Sequence, residues 1–454
     1  MMDDALFWHR LQFAFTVVFH YLFPQLTMGI AWFLVGWKWL HLRTGDACYG
    51  DAARLWARVF GIAFAVGVVT GIPMEFQFGT NWSGFSRYAG GVVGQTLAME
   101  GMFAFLLESA FVGALVWGEK RLGPKSHFIA ALAVAVGSWV SGYFILATNA
   151  FMQHPVGEAV SADGSLRIES LGRFLLNPWA LLEFCHNQAA TLVTGAFAIA
   201  SVGAFYVLRT ANSEQGRLFL KWGTSIGLLA AVLVAVPTGD QQAKIVARYQ
   251  APALAAMEGR FESGPMADIT LIGQPDVRNR RLDNPIRLPG MLSFLAFGTF
   301  HSKVPGLGAF PQDTWPTNIE LLYYSFHVMA GLGTLFILLM GLANLQRIRG
   351  LLESSKVLLW ALMLSIPFPF IANTAGWMTA ELGRQPWLVY GLFRTSDGYS
   401  KAVGSGEALF TLIGFTGLYF LLGLLSLLLV GREIIHSSGE HEPHAVLPLE
   451  KVAW

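Results

Sequence analysis

The sequence is poor in charged residues, and this shortage excludes an ordinary soluble globular protein. Only 13% of the 454 residues are Asp, Glu, Lys or Arg, whereas 54% are hydrophobic. Several apolar runs exceed the roughly 20 residues that an α-helix needs to cross a bilayer. The formal net charge of +1 gives no indication of a nucleic-acid partner. We therefore predict an all-α polytopic membrane protein, because helices are the spanning element such runs can form.

Two further sequence signals are missing. The chain has two cysteines, Cys48 and Cys185, and no Cys-x-x-Cys-His motif, so covalent attachment of a c-type haem is excluded. The first apolar run follows the acidic Asp3 and Asp4, without a basic segment or a small-residue cleavage site. We expect that run to be a retained helix and not a signal peptide.

The apolar runs predict nine membrane-spanning helices. Their approximate limits are 11–40, 56–78, 92–118, 127–150, 182–208, 219–237, 321–344, 357–377 and 408–431. Arg and Lys are concentrated in four connections, those after the first, third, fifth and seventh helices. By the positive-inside rule these connections are cytoplasmic, which places the N-terminus outside and the C-terminus in the cytoplasm. The connection 378–407 carries three basic residues and fits the rule least well.

The segment 238–320 differs from the other connections because it is long and polar. The same topology places it on the outer side, and a loop of this length is usually functional or disordered. The predicted parts are therefore 1–237 with helices one to six, the outer loop 238–320, 321–431 with helices seven to nine, and a cytoplasmic tail 432–454. The tail contains His436, His441 and His444, for which a solvated tail is a commoner explanation than a metal site.

The stretch from Gly376 to Trp387 closes the eighth apolar run and contains a carboxylate. Asn373, Trp377 and Glu381 are spaced i, i+4, i+8 and share one helix face. A carboxylate at the end of a span is costly unless it is paired, protonated or bound to a ligand. The residues leave two alternatives open, a functional Glu381 or an interfacial one paired with Arg384.

Other polar residues lie inside the predicted spans. His20 continues a stripe of Gln12 and Thr16; it is either an axial haem ligand or, as the residue alone favours, a histidine bonded to a neighbouring helix. Glu100 and Glu108 are eight residues apart, about 80° around an ideal α-helix. Each costs roughly 2.5–3.5 kcal/mol at mid-membrane if charged and unpaired. Because no span offers a central Lys or Arg, a proton relay is favoured over ion pairing.

His186 begins the fifth helix, and Met329 lies in the seventh. A His–Met pair is a known axial set for an electron-transfer haem. A lone Met in a membrane helix is nearly always a packing residue, however, and sequence spacing cannot show whether the two residues meet.

Taken together, these motifs resemble subunit I of the cytochrome bd quinol oxidases, from nearly one end of the chain to the other. The residues that carry the resemblance are Arg10–Ala14 with His20, Gly71–Trp82, Glu100-Gly101 through Glu108-Ser109, His186 before Val193–Ala196, Gly239-Asp240, Met329 before Gly331–Gly333, and Gly376–Trp387. The segments Pro73–Trp82 and Glu381–Trp387 are the most specific. The outer loop is similar to the short form of the family, the branch that resembles cyanide-insensitive oxidases.

The resemblance implies a set of cofactors and ligands. His186 and Met329 are expected to ligate a low-spin haem b. His20 and Glu381 are expected to serve two high-spin haems, one b and one d (or a third haem b in its place), with Arg384 beside Glu381 in the cofactor site. Trp377 is expected between the haems. Glu100 is expected at the high-spin pair, and Glu108 on the proton path.

The resemblance also implies the reaction and the partners. Quinol is expected to be oxidised on the outer side, at a loop site with Asp240 and Glu258, and oxygen to be reduced with cytoplasmic protons, without pumping. Subunit II, a small single-helix subunit and membrane lipid are the expected partners. The loop departs from the family pattern, since Ala253 stands at the usual lysine position and the proline is displaced. This departure keeps open a haem protein with another electron donor. A haem-free proton-coupled transporter is the other alternative, although it predicts internal repeats, which the sequence lacks.

Overall fold

The computed structural model describes residues 4–209 and 213–439, and these residues form a bundle of long helices. Eight described helices are long and apolar enough to cross a membrane, and one bent pair brings the total to nine. The eight are Ala5–Thr44, Ala47–Thr80, Ser83–Trp117, Pro124–Gln153, Leu171–Leu208, Glu214–Tyr249, Ile319–Ile348 and Ser405–Ser437, and the bent pair is Lys356–Leu364 with Pro367–Arg384. The predicted all-α membrane bundle is confirmed, and each predicted span has its helix.

In detail, the spans are divided into shorter elements by bends and by π-helical segments. The helices are α1 (Asp4–Thr44), α2 (Ala47–Thr80), α3 (Ser83–Gly101), α4 (Ser109–Trp117), α5 (Pro124–Gln153), α6 (Leu171–Leu175), α7 (Pro178–Leu208), α8 (Ser213–Leu233), α9 (Asp240–Tyr249), α10 (Ala251–Met257), α11 (Met291–Phe297), α12 (Ile319–Ile348), α13 (Lys356–Leu364), α14 (Pro367–Arg384), α15 (Thr395–Gly398) and α16 (Ser405–Gly439). The π-helical segments are Met102–Glu108 and Val234–Gly239. Three two-stranded antiparallel sheets pair β1 (Glu158–Val160) with β2 (Leu166–Ile168), β3 (Ile269–Asp276) with β4 (Arg281–Leu288), and β5 (Trp387–Val389) with β6 (Phe393–Arg394).

The eighth span is broken where the sequence predicts one continuous helix. α13 and α14 meet at an angle of 43°. Pro367 and Pro369 open α14, and proline lacks the N–H that an uninterrupted helix needs at these positions. α14 then continues to Arg384, so Glu381 lies within this helix and not beyond its end.

The sixth helix is longer than predicted, and the proposed boundary at residue 238 lies inside it. The helix runs through the π-helical segment Val234–Gly239, which contains Pro237, and ends at Tyr249. A π-helical turn bonds i to i+5 and accommodates a proline that would break an α-helix. The connection that follows is folded, since it contains α10, the β3–β4 hairpin and α11.

The packing core lies where α1, α2, α7 and α8 meet. Trp37, Trp56, Tyr206 and Phe219 are fully buried there. α1 and α7 approach closely at Gly29 and Gly195. A Cβ on Gly29 would lie 2.1 Å from the Thr191 carbonyl oxygen, and a Cβ on Gly195 would lie 2.8 Å from the Gly29 carbonyl carbon. Small residues of this kind let membrane helices pack backbone against backbone.

A methyl group at this crossing should therefore push the two helices apart. We expect Gly29→Ala to destabilise the folded protein by about 1–3 kcal/mol through overpacking. The matched control is Gly341→Ala, whose new methyl would meet only Leu228 Cδ1 at 3.9 Å. Thermal unfolding of the purified protein measures both variants, and equal melting temperatures would contradict the close-crossing interpretation.

Candidate functional site: a cavity among seven helices

A cavity of about 190 Å³ is lined by residues of α5, α7, α8, α9, α10, α12 and α14. His186 and Met329 both line it, on α7 and α12 respectively. The other polar or aromatic lining residues include Asn149, Gln153, Glu183, Asn373 and Trp377. The two side chains whose meeting the sequence left open therefore line the same cavity.

The hydrogen bonds of His186 leave one ring nitrogen available. Its Nδ1 lies 3.0 Å from Thr238 Oγ1, and that hydroxyl donates to the Leu233 carbonyl oxygen at 2.9 Å. The hydroxyl proton is used, so the threonine oxygen accepts from Nδ1–H. This assigns the lone pair to Nε2, which is the state an imidazole needs to ligate a metal.

Met329 faces α14 at Gly376, a residue without a side chain. A Cβ on Gly376 would lie 3.0 Å from Met329 Sδ, so glycine leaves room for the sulfur at this position. Asn373, one turn earlier on α14, donates to Thr194 Oγ1 at 3.0 Å. Asn373 and Trp377, two of the three residues predicted to share one face of this helix, lie on the cavity wall, whereas Glu381 is not among the lining residues.

His20 lies outside the lining of this cavity and is held in the same way as His186. Its Nδ1 is 3.2 Å from Thr70 Oγ1, which donates to the Val66 carbonyl oxygen at 2.9 Å. A Cβ on Gly71 would lie 2.9 Å from His20 Cε1, so the ring requires a glycine there. His20 therefore also presents Nε2 as its free nitrogen. The hydrogen bond to a neighbouring helix, which was the alternative explanation for His20, is present, but it uses only Nδ1.

The polar stripe before His20 has a packing role. Thr16 donates to Gln77 Oε1 at 3.1 Å. Gln12 Oε1 accepts from Asn81 at 3.1 Å and from Thr411 at 2.8 Å. These bonds join α1 to the C-terminal end of α2 through buried side chains, and to α16 through the exposed Thr411.

Glu381 forms the ion pair that the sequence left as an alternative. Its Oε2 accepts from Arg384, whose side chain is 3% exposed, and its Oε1 accepts from Asn149 Nδ2 at 2.6 Å. The Glu381 side chain itself is 38% exposed. Paired on one oxygen and hydrogen-bonded on the other, the carboxylate is held in a fixed position with an accessible surface.

An amide chain connects this ion pair to the start of the long connection. Gln250 Nε2 donates to Gln153 Oε1 at 2.9 Å, and Gln153 Nε2 donates to the Ala380 carbonyl oxygen at 3.2 Å. Asn149 and Gln153 are one turn apart on α5 and both line the cavity. This network is a second support for the position of Glu381.

The carboxylates Glu100 and Glu108 face the same neighbouring helix. Glu100 Oε1 accepts from Ser141 Oγ at 3.1 Å, and Glu108 Oε1 accepts from Ser138 Oγ. The predicted separation of about 80° assumed an α-helix. It is corrected by the π-helical segment Met102–Glu108, whose wider turns bring both carboxylates to the α5 side.

The two candidate quinol residues have different surroundings. Asp240 accepts from Lys244 Nζ at 2.6 Å at the start of α9. Glu258 is 3% exposed and accepts from the Thr270 backbone N–H at 3.0 Å. Burial raises the pKa of Glu258 to about 7. Beside it, His327 stacks on Tyr323 with ring centroids 4.0 Å apart, and the Tyr323 hydroxyl has no hydrogen-bond partner among the described residues.

Comparison with known proteins assigns the family. A sequence model described as cytochrome bd terminal oxidase subunit I matches residues 8–438. The chain belongs to this family. It is 37% identical to cytochrome bd ubiquinol oxidase subunit 1 of Bacillus subtilis (strain 168) over 97% of this chain and 95% of the relative. It is 32% identical to cytochrome bd-II ubiquinol oxidase subunit 1 of Escherichia coli (strain K12), over 92% and 94%.

A solved structure agrees with this assignment. The bd oxidase from Geobacillus thermodenitrificans superposes with a TM-score of 0.87 at 29% identity, covering 95% of this chain and 99% of that one. The predicted resemblance and the predicted enzyme class, a quinol:oxygen oxidoreductase of the respiratory chain, are thereby confirmed at the level of the family. Cytochrome bd oxidase subunits I are haem-bearing bacterial membrane proteins that assemble with a subunit II. The haem-free transporter alternative is therefore dropped.

Several polar residues that line the cavity of this cytochrome bd subunit were not singled out from the sequence, among them Asn149, Gln153 and Glu183. Glu183 lines the cavity, and its Oε2 has no hydrogen-bond partner among residues 4–209 and 213–439. Glu183 precedes His186 by three positions on an apolar helix, a spacing that could have indicated it.

No group of three or more His, Cys, Asp or Glu in the described part of the chain is arranged to hold a metal ion. Two of the tail histidines, His441 and His444, lie outside the described residues.

Proposed function

We propose that this chain oxidises quinol on the outer side of the membrane and reduces oxygen to water with protons from the cytoplasmic side. The single observation that carries the proposal is the cavity that His186 and Met329 share. The two relatives named as ubiquinol oxidases support quinol as the electron donor.

The residues present fit haem as the cofactor. His186 and Met329 would hold the low-spin haem b, because Nε2 of His186 is free and Gly376 leaves room beside the Met329 sulfur. His20 and Glu381 would serve the high-spin haem b and haem d, or a third haem b in place of haem d. Arg384 holds Glu381 in position through their ion pair. Trp377, on the same helix, lies on the cavity wall. When bound, haem supplies one-electron transfer and the iron at which oxygen is reduced.

The quinol site is proposed at the folded outer connection. Glu258 accepts a quinol proton, since its carboxylate is buried beside Arg260 and Tyr323 and its pKa of about 7 lets it gain and lose a proton near neutral pH. Asp240, paired with Lys244 at the start of α9, is the second residue assigned to this site. Ala253, at the usual lysine position, is buried and lines the cavity, so it offers no charge to the quinol.

The proton route and the topology complete the proposal. Glu108 passes cytoplasmic protons to Glu100, both aligned by serines of α5. The basic connections after the first, third, fifth and seventh helices would face the cytoplasm, with the N-terminus outside and the tail 432–454 inside. Protons taken up inside and released outside contribute to the gradient without pumping. Subunit II is accompanied, in this proposal, by a small single-helix subunit.

Replacing Glu258 tests the quinol site. We expect Glu258→Gln to slow quinol oxidation by about 100-fold, the usual effect of losing a general base. Oxygen reduction driven by an artificial one-electron donor should be unchanged, because that donor releases no quinol proton. In the unmodified protein the quinol rate should rise with pH through about 7, as the carboxylate loses its proton, and the variant should lack this rise.

The control is Glu262→Gln, an exposed carboxylate in the same connection, which should keep both rates. Equal losses with both donors in Glu258→Gln would place the role of Glu258 in folding. An unchanged quinol rate would favour the alternative of a haem-bearing relative with another electron donor.

A further inference from the structure

A second cavity, of about 200 Å³, lies at the ends of two membrane helices and plays no part in the proposed reaction. Arg217 and Lys221 of α8, Arg347 of α12, and Glu353 of the following turn are its charged lining residues. Three cations and one carboxylate leave an excess of two positive charges. The cavity is therefore suited to an anion.

The Arg347 side chain is held in place at this cavity before any ligand arrives. Its Nη2 donates to Ser225 Oγ and to Asn344 Oδ1, both at 3.1 Å. Asn344 is itself buried and donates to the Thr224 and Met340 carbonyl oxygens at 2.7 and 2.9 Å. Arg347 Nε is buried and has no hydrogen-bond partner in the described part of the chain. The guanidinium is therefore held through Nη2, at a fixed position on the cavity lining.

The other two cations, Arg217 and Lys221, differ in whether they form an ion pair. Arg217 Nε lies 3.0 and 2.9 Å from the two carboxylate oxygens of Glu353. Lys221, one turn further along α8, forms no ion pair with any described residue. Lys221 and Arg347 are therefore the groups free to bind an anion, while Glu353 opposes binding.

The position of the cavity selects the source of the anion. It lies at the start of the Glu214–Tyr249 span and at the end of the Ile319–Ile348 span. Exposed apolar side chains lie close in sequence to its lining residues: Ile348, next to Arg347, is 75% exposed, and Val357, at the start of α13, is 84% exposed. A ligand here meets cations at its head and an apolar helix surface below, which are the features of a phospholipid and not of a free ion. Basic pockets between membrane helices are known to bind anionic headgroups.

We propose that this cavity binds the phosphate of an anionic phospholipid, with Lys221 and Arg347 on the headgroup and the acyl chains against the exposed face near Ile348 and Val357. The proposal does not depend on the quinol or oxygen chemistry of the subunit. It identifies a lipid site on the side of the bundle formed by α8, α12 and α13.

Native mass spectrometry of the purified oxidase complex, titrated with phosphatidylglycerol, tests the site. We expect Lys221→Gln to weaken retention of phosphatidylglycerol about fivefold, the effect of one cation near a lipid phosphate. Glu353→Gln should change binding in the opposite direction, because it removes the competing carboxylate and frees Arg217. Lys125→Gln, which removes an exposed lysine from another connection, should bind as the unmodified complex does.

Two further titrations identify the ligand. Zwitterionic phosphatidylcholine should not be retained at this site, and millimolar inorganic phosphate should not displace phosphatidylglycerol. The proposal would be overturned by equal retention of phosphatidylglycerol in Lys221→Gln and the unmodified complex. Displacement by inorganic phosphate would overturn the lipid assignment, and equal retention of phosphatidylcholine would overturn the role of charge. The haem spectrum of each variant verifies that the complex is folded.

Discussion

Replacing Met329 with leucine is expected to abolish the low-spin haem signal while the protein stays folded. Leucine has nearly the volume of methionine, so the packing of α12 changes little, but it has no sulfur to ligate iron. Mutating a residue that only hydrogen-bonds to a metal ligand typically lowers metal affinity or activity by about 10–100-fold. Losing the ligand itself should therefore slow quinol-driven oxygen uptake at least about 100-fold. Visible spectroscopy and oxygen-uptake rates measure the two effects.

Met340→Leu is the matched control for this substitution. Met340 lies three turns further along the same helix, is fully buried and does not line the cavity. It should retain both the spectrum and the rate. A normal low-spin band in Met329→Leu would show that the sulfur is not a ligand, whatever the effect on rate.

The second large effect is expected at Glu108. Glu108→Gln keeps the shape of the side chain and its bond to Ser138 but cannot release a proton. We expect steady-state oxygen reduction to fall by about 100-fold or more, the range for loss of a positioned proton donor. Electron transfer from quinol to the low-spin haem, followed by stopped-flow spectroscopy, should be unaffected. Glu100→Gln should in addition alter the high-spin haem spectrum, because we place that residue at the haem end of the route.

An exposed carboxylate serves as the control for the relay. Glu169→Gln, in the connection after α5, should turn over normally. If Glu108→Gln in sealed vesicles turned over at the native rate with a normal membrane potential, the proton route would have to pass through other residues.

The number and order of the spans could be predicted because each apolar run is a local property of the sequence. The breaks inside the spans were harder to predict from the sequence. Pro367 and Pro369 divide the eighth span, whereas Pro237 is absorbed by a π-helical turn and the sixth helix continues. A proline alone does not show which outcome follows, since the result depends on the partners available to the freed backbone carbonyls.

For the candidate site, the sequence could indicate candidate ligand residues but not their surroundings. Thr238 and Thr70, which fix the two histidine rings, are ordinary hydroxyl residues in apolar helices and carry no distinguishing spacing. The π-helical segment that ends at Glu108 changes the helix face on which this residue lies, and no local pattern in the sequence indicates the segment. Such features arise from tertiary packing, which a single sequence does not display.

The spectrum of the purified complex, recorded anaerobically before and after adding quinol, tests the central claim most directly. The account predicts that quinol reduces a low-spin haem b and then the high-spin haems, and that oxygen reoxidises them. A complex without haem bands, or one whose haems quinol leaves oxidised while a chemical reductant reduces them, would contradict the account.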